Sequence, residues 1–174
     1  MVFADLDNTA TSGSCSIRRA AEADIASLAY QRAAMFRDMG VLAPHLFEPL
    51  VDESRRYLPD AMRAGEYIGW VATDATGAIV AGAGLQLRRM LPRPAEDGGE
   101  LIHGPQALVL NVYTEPPWRR RGLARLLMQE LLSWTAENGV QSVVLHAAPE
   151  ARPLYEQLGF VATNEMRLAA RAGV

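Results

Sequence analysis

The spacing of apolar positions predicts two helices in the first third of the chain. Asp24 precedes the first pattern as a residue whose side chain can cap free helical amides, and Gly40 follows as one that can end a helix in the left-handed conformation. A second helix is predicted from Leu46 to about Arg63, its length limited by Pro59. Within the first helix, apolar residues recur with helical spacing at Ile25, Leu28, Ala29, Met35, Phe36 and Met39.

Short runs of β-branched and aromatic residues predict strands. Residues 16–20 form a run short enough for an edge strand. Residues 66–73 and 78–88 flank a short polar segment that ends in Gly77. Because glycine can supply the positive φ angle that a tight loop needs, these two runs predict a β-hairpin.

In the second half of the chain the predicted strands and helices alternate. Residues 92–105 contain three prolines and three glycines and predict a loop. The run that follows is apolar except for Asn111, which is typical of an internal strand. The expected order is strand, helix, strand, helix, strand over residues 107–114, 123–138, 142–147, 150–158 and 160–168.

Length and composition predict one domain and argue against a nucleic-acid partner and a membrane span. The chain has 174 residues, of which 49% are hydrophobic and 21% charged. Residues 1–14 are small and polar and are expected to be a disordered leader or a cloning remnant, leaving a single domain over 15–174. The net charge of -3 gives no electrostatic argument for a nucleic-acid partner. No apolar run reaches the roughly 18 residues of a membrane span.

The single cysteine and the lack of a secretion-signal pattern predict a cytoplasmic location. Cys15 is the single cysteine, so no internal disulfide can form, and its small-residue context makes it a poor nucleophile. The N-terminus lacks the basic-then-apolar order of a secretion signal. We therefore expect a soluble, cytoplasmic protein with no membrane contact and no metal.

A basic glycine turn between a strand and a helix is the strongest chemical signal. The first amides of a helix have no intrahelical partner, and the peptide dipoles add partial positive charge there, so the turn suits a phosphate. Gly122 and Ala124 keep the approach to those amides open. A solvated arginine cluster is the alternative. Neither a G-x-x-x-x-G-K-[ST] loop nor a G-x-G-x-x-G turn is present. The cationic side chains are Arg119, Arg120, Arg121 and Arg125.

Two motifs together resemble the GNAT superfamily of N-acetyltransferases. Residues 111–124 (NVYTEPPWRRRGLA) resemble its acetyl-CoA motif, with the pattern [QR]-x-x-G-x-[GA] after a strand. Residues 154–160 (LYEQLGF) resemble its second motif at the expected distance. The resemblance covers most of residues 16–168. It implies an α/β fold with a central mixed, mostly antiparallel sheet, splayed central strands and flanking helices.

The resemblance also implies a binding site for acetyl-CoA. The pantetheine arm would lie along the backbone of Val112 and Thr114, and the acyl carbonyl near Val112 or Tyr113, polarised by a main-chain donor. The pyrophosphate would be bound by the turn and the start of the following helix, at Arg119, Arg120, Arg121, Gly122, Leu123, Ala124 and Arg125.

For catalysis, the resemblance implies direct attack by an amine of a small molecule or peptide, and it allows a homodimer. Tyr155 matches the family tyrosine that protonates the departing thiolate; a buried structural aromatic is the alternative. The base candidates are Glu100, His103, Glu115 and His146. A CoA-binding sensor without catalysis and a transferase for other acyl groups both stay open. Around the acceptor, a packing role is favoured for Met35, Phe36, Met39 and Trp70.

Overall fold

The structure, a computed structural model, describes residues 10–12, 15–95, 98–166 and 168. The strands are β1 (Ala10–Ser12), β2 (Cys15–Arg19), β3 (Tyr67–Thr73), β4 (Ile79–Arg88), β5 (Arg93–Pro94), β6 (Leu101–Ile102), β7 (Gln106–Thr114) and β8 (Ser142–Leu145). The α-helices are α1 (Ile25–Asp38), α2 (Phe47–Arg63), α3 (Leu123–Glu137) and α4 (Arg152–Gln157).

Six strands form one mixed sheet in the order β1-β2-β3-β4-β7-β8. Neighbours from β1 to β7 are antiparallel, and β8 alone runs parallel to its neighbour β7. The parallel connection passes through α3, as a crossover between parallel strands requires. The predicted mixed, mostly antiparallel sheet with flanking helices is therefore confirmed.

Helices cover both faces of the sheet because alternate strand residues are apolar on both sides. On β3, Tyr67 and Val71 pack in one core cluster with α1 and α2. Trp70 points the other way and packs with α3, where its ring meets the Trp134 ring edge-on at 6.1 Å. Trp70 thus has the packing role predicted for it, on the face opposite to α1 and α2.

Three local expectations about the first helices are corrected. Asp24 does not cap α1 with its side chain; its carboxylate accepts two hydrogen bonds from Arg18 and one from the amide of Ala21. A nearby guanidinium outcompetes the helical amides for that carboxylate. Pro59 lies inside α2 rather than limiting it, and the helix ends at Arg63. Met39 is exposed instead of buried, because it follows the last turn of α1.

The predicted turns have the expected backbone. Gly77 has a φ angle of +86° in the β3–β4 hairpin, and Gly40 one of +71° after α1. The loop at residues 92–105 holds a small two-stranded ladder in which β5 pairs with β6. With two residues each, β5 and β6 are too short for a sequence pattern to predict them as strands.

Both ends of the sheet differ from the expectation. Ala10–Ser12 form β1 and pair with β2, which is therefore not an edge strand; the other leader residues lie outside the described ranges. The prediction of a last strand at residues 160–168 is wrong for the described part of that range. Those residues pair with no strand. There Phe160 stacks edge-on against Tyr155, and Val161 and Met166 are 72% and 94% exposed. An apolar run forms a strand only where a neighbouring strand has a free edge to pair with it.

Within the described ranges, no helix is both long enough and apolar enough to cross a membrane.

Candidate active site

The two parallel strands separate halfway along β7. They are paired from Gln106 opposite Ser142 to Val109 opposite Leu145, and β8 ends there. Residues 110–114 of β7 continue beyond the last paired residue. Along this stretch β7 keeps β4 on one side, while the side towards β8 lacks a ladder. The splayed central strands that the sequence predicted are thus present, and the open edge can bind an extended amide-containing chain.

A β-bulge marks the beginning of the open edge. Leu110 pairs with Gly84 and Tyr113 with Gly82, so that Asn111 and Val112 together oppose one residue of β4. Asn111 has a φ angle of +58°, in the left-handed region that asparagine tolerates better than most side chains. A bulge bends the strand and locally interrupts its ladder, and this one lies where β7 loses its pairing with β8.

The turn after β7 presents amides at the start of α3. Arg120 and Gly122 both have left-handed φ angles, +64° and +81°, on either side of Arg121. Alternation of this kind brings successive N–H groups together in an anion-binding concavity. Gly122 is the N-cap residue and makes no side-chain cap, and the first helical amide with a backbone partner is that of Leu126, which donates to Gly122 O at 3.1 Å. The amides of residues 123–125 precede it.

The arginine side chains around this turn have different surroundings. Arg119 donates to Thr114 O at 2.9 Å and forms an ion pair with Asp38 at the end of α1. Arg121 lies over the Trp118 ring at 4.7 Å. Arg125 donates to Gln157 Oε1 on α4. Arg120 is exposed and has no side-chain partner in the described part of the chain.

These contacts modify the prediction for Arg119. Its guanidinium is already engaged, and its amide donates to Pro116 O at 3.3 Å. We therefore assign Arg119 to anchoring the turn on α1 and on the end of β7. Binding of the pyrophosphate by the amides of residues 120–125 stays a prediction.

Tyr155 lies beside the opening, on α4. It is 8% exposed and belongs to the same core cluster as Leu123, with Val112 packed against that cluster. Its hydroxyl has no hydrogen-bond partner within the described ranges and is not among the fully enclosed polar atoms, so it retains access to solvent. Burial raises the pKa of the Tyr155 hydroxyl above its usual value, so the phenol stays protonated at neutral pH.

The predicted base candidates are dispersed. His146 follows β8 and its Nε2 lies 2.8 Å from Glu165 Oε1, with both side chains exposed. Glu100 and His103 are exposed in the loop that holds β5 and β6. Glu115 is half-buried and lines a small cavity with Gln31. The structure does not bring these four side chains into one cluster.

A second cavity of about 300 Å³ lies between α1, α2 and the bulge of β7. Its size is at the lower end for small-molecule sites. The sequence analysis assigned none of its residues to a site, although two carry signals in hindsight: Asn111 interrupts an apolar strand, and Arg32 lies among the apolar positions of the first helix. The cavity is lined by Arg32, Leu50, Glu53, Ser54, Tyr57, Leu58, Tyr67, Gln86, Leu110 and Asn111.

The bulge residue connects this cavity to the sheet. Asn111 Oδ1 accepts a hydrogen bond from Arg32 Nη1 at 2.6 Å, and its Nδ2 donates to the Tyr67 hydroxyl at 3.4 Å. Tyr67 can lie there because Gly84 has no side chain; a Cβ atom at Gly84 would stand 2.3 Å from the Tyr67 hydroxyl. Burial raises the pKa of Tyr67, so its hydroxyl is a neutral donor.

The site combines an open strand edge, an amide concavity at a helix start, a buried phenol and a nearby cavity, which suits an enzyme that binds a phosphate-containing cosubstrate with an extended amide arm. The sequence profile of the Acetyltransferase (GNAT) family matches residues 30–160. The chain belongs to the GNAT acetyltransferase family and is an acyl-CoA-dependent N-acetyltransferase.

Similar proteins agree with this assignment. A glucosamine 6-phosphate N-acetyltransferase of Trypanosoma brucei brucei is 30% identical over 107 residues, which is 61% of this chain and 67% of that protein. The solved structure of a GCN5-related N-acetyltransferase from Ralstonia eutropha JMP134 is 30% identical, with a TM-score of 0.79 over 91% of this chain and 99% of its own. A predicted acetyltransferase solved with acetyl-CoA, from Clostridium acetobutylicum, shares the fold at 24% identity, with a TM-score of 0.74 over 90% and 96%.

Proposed function

We infer that the protein transfers an acetyl group from acetyl-CoA to an amine of a small molecule or peptide, within a complex that holds both substrates at once. The observation that carries this proposal is the opening between β7 and β8 beside the start of α3, which has no side-chain cap. The strand edge and the amide concavity match the two chemical halves of CoA, an amide-containing arm and a pyrophosphate. A convincing enzyme nucleophile is not needed for direct attack by an amine.

Each part of the site has a role in this proposal. The backbone groups of Val112 and Thr114 bind the pantetheine arm, and the amides of residues 120–125 bind the pyrophosphate. Acetyl-CoA supplies the acetyl group in activated form, as a thioester. A main-chain N–H near Val112 or Tyr113, at the bulge, donates to the carbonyl oxygen.

Tyr155 is the proposed general acid. Its protonated hydroxyl has no partner among the residues that the structure describes, so it can donate to the departing thiolate. The acceptor amine enters from the cavity beside Asn111. Its proton is removed by His146, which Glu165 can orient, or through water by Glu100. An amino sugar phosphate belongs in the first acceptor panel, because the Trypanosoma relative is named for one.

The pyrophosphate site can be tested with two matched glycine variants. Gly122 and Gly139 have left-handed φ angles of +81° and +66°, flank the two ends of α3, and have open space where a Cβ atom would be. Gly122→Glu places a negative charge at the proposed phosphate site and should abolish CoA binding measured by titration calorimetry. Gly139→Glu carries the same backbone strain and charge and should bind CoA as the parent does.

The control also separates binding from folding. A glutamate is favourable at a helix N-terminus and unfavourable at a C-terminus. If only folding stability mattered, Gly139→Glu should therefore be the less stable of the two variants. Equal CoA affinity in the two variants would refute the placement of the pyrophosphate. A thiol-release assay with acetyl-CoA and the amine panel then tests transfer. CoA binding without any transfer would favour the sensor alternative, and activity with longer acyl-CoA substrates would extend the acyl range.

A further inference from the structure

The cavity between α1, α2 and β7 contains a cation without a counter-ion. Arg32 is half-buried, its guanidinium lies 5.1 Å from the Phe36 ring centroid, and its one polar side-chain contact within the described ranges is the neutral amide of Asn111. No carboxylate of the described residues forms an ion pair with it. Removing a charge from water without a partner is costly, and burial accordingly lowers the pKa of Arg32.

The free atoms of Arg32 are accessible to a ligand. Nη1 donates to Asn111, while Nε and Nη2 have no partner in the described part of the chain. Neither atom is among the fully enclosed polar atoms, so both have accessible surface. Arg32 lines the cavity, and a planar guanidinium can bind a carboxylate or phosphate with two parallel hydrogen bonds.

The other polar groups of the cavity are mostly donors. The Tyr57 hydroxyl accepts from Gln86 Nε2 at 3.0 Å, and the Tyr67 hydroxyl accepts from Asn111, so each keeps its own proton for a ligand. Glu53 is the one carboxylate in the lining, and it forms its ion pair with Arg56 at 3.3 Å on the exposed side of α2. An anion fits this set of donors better than a second cation does.

The anion site lies close to the proposed acyl position. Arg32 touches Asn111, and Val112, the next residue, is where the acyl carbonyl is expected. We propose that the acceptor is a small amine with an anionic group a few bonds from the nitrogen, a carboxylate or phosphate bound by Arg32 while the amine faces the bulge. This inference rests on the proposed acetyl transfer and names the substrate class of the same site.

Matched acceptors test the charge requirement. Alanine and alaninamide differ in the carboxylate, and O-phosphoethanolamine and ethanolamine differ in the phosphate. The wild-type kcat/KM should be at least about tenfold higher for the anionic member of one pair, since a hydrogen bond to a charged group is worth that much. The pair that responds identifies carboxylate or phosphate as the source. Alaninamide has the more acidic ammonium group, so intrinsic amine reactivity favours the opposite order.

Variants of Arg32 link the preference to the side chain. Arg32→Gln should lower kcat/KM at least about tenfold more for the anionic amine than for the neutral one and so remove the preference, because only the anion loses a charged partner. Arg32→Lys keeps the charge without the planar fork and should restore part of the preference. Arg55→Gln removes an exposed charge from the neighbouring helix and should change neither value. An equal loss for charged and neutral amines in Arg32→Gln would overturn the proposal.

A binding measurement keeps the proposal testable without catalysis. With CoA bound, N-acetylalanine should bind at least about tenfold more tightly than N-acetylalaninamide by calorimetry, and Arg32→Gln should abolish the difference. Inorganic phosphate is the corresponding probe for the phosphate case. If the protein binds anions through Arg32 but transfers acetyl to none of the amines, the anion site is supported and the proposed function is refuted. Equal transfer to charged and neutral amines, with equal binding, would refute the site and leave the proposed function intact.

Discussion

Asn111 can be replaced in two ways that separate its backbone conformation from its side-chain contacts. Its φ angle of +58° places it in the left-handed region, and its side chain bonds to Arg32 and Tyr67. Asn111→Gly removes both hydrogen bonds but accepts the backbone conformation. Asn111→Ala removes the same bonds and keeps a Cβ atom in an unfavourable conformation.

The structure predicts the size and the sign of the difference in stability between Asn111→Gly and Asn111→Ala. Both variants lose the 2.6 Å bond from a guanidinium and leave the buried Tyr67 hydroxyl without its 3.4 Å contact, at a cost of about 2–4 kcal/mol. Alanine pays a further ~1–2 kcal/mol for the left-handed backbone. At an ordinary strand position glycine is the less stable residue, by roughly 0.5–1 kcal/mol. The order of the two variants at residue 111 should therefore be the reverse of the usual one.

Urea unfolding of the protein without CoA measures this difference, with Val143 on β8 as the control position. Asn111→Ala should be less stable than Asn111→Gly by about 1 kcal/mol, which is ~2–4 °C in Tm for a chain of this size. Val143→Ala should be more stable than Val143→Gly, because Val143 has no positive φ angle. If Asn111→Ala matched or exceeded Asn111→Gly in stability, the strained bulge would not be present in solution.

Two further predictions concern the proposed acid and the partly buried ion pair between Arg18 and Asp24. Tyr155→Phe should lower kcat by about 100-fold or more. CoA affinity should change little, since the hydroxyl has no partner to lose among the described residues. An unchanged kcat in steady-state assays would exclude Tyr155 as the acid. The hydrogen bonds from Arg18 hold the pKa of Asp24 below its usual value, so the pair stabilises the fold above the unfolded pKa of about 3.9 and loses this effect as pH falls through the folded pKa. Asp24→Asn should thus be destabilising at pH 7 and progressively less so below about pH 4 in denaturant titrations; a pH-independent difference would contradict this.

The sequence by itself determined the elements whose pattern is local. Helical spacing and end residues located α1, α2 and α3, and the glycine turn located the β3–β4 hairpin and the start of α3. These predictions succeeded because the signals depend on nearest neighbours along the chain: apolar periodicity, and glycines whose positive φ angles other residues rarely adopt. The family resemblance added the mixed, mostly antiparallel character of the sheet and the expected parting of its central strands.

Only the tertiary structure decided which strands pair and which polar groups meet. The last predicted strand is not formed in the described residues, because an apolar run does not reveal whether an edge is available. Asp24 binds Arg18 rather than its own helix, and Arg119 binds Asp38, 81 positions away. The cavity proposed for the acceptor depends on contacts of the same kind, since Arg32 and Asn111 are 79 positions apart in the sequence. Such contacts depend on how α1 packs over the bulge of β7, and no local pattern encodes that geometry.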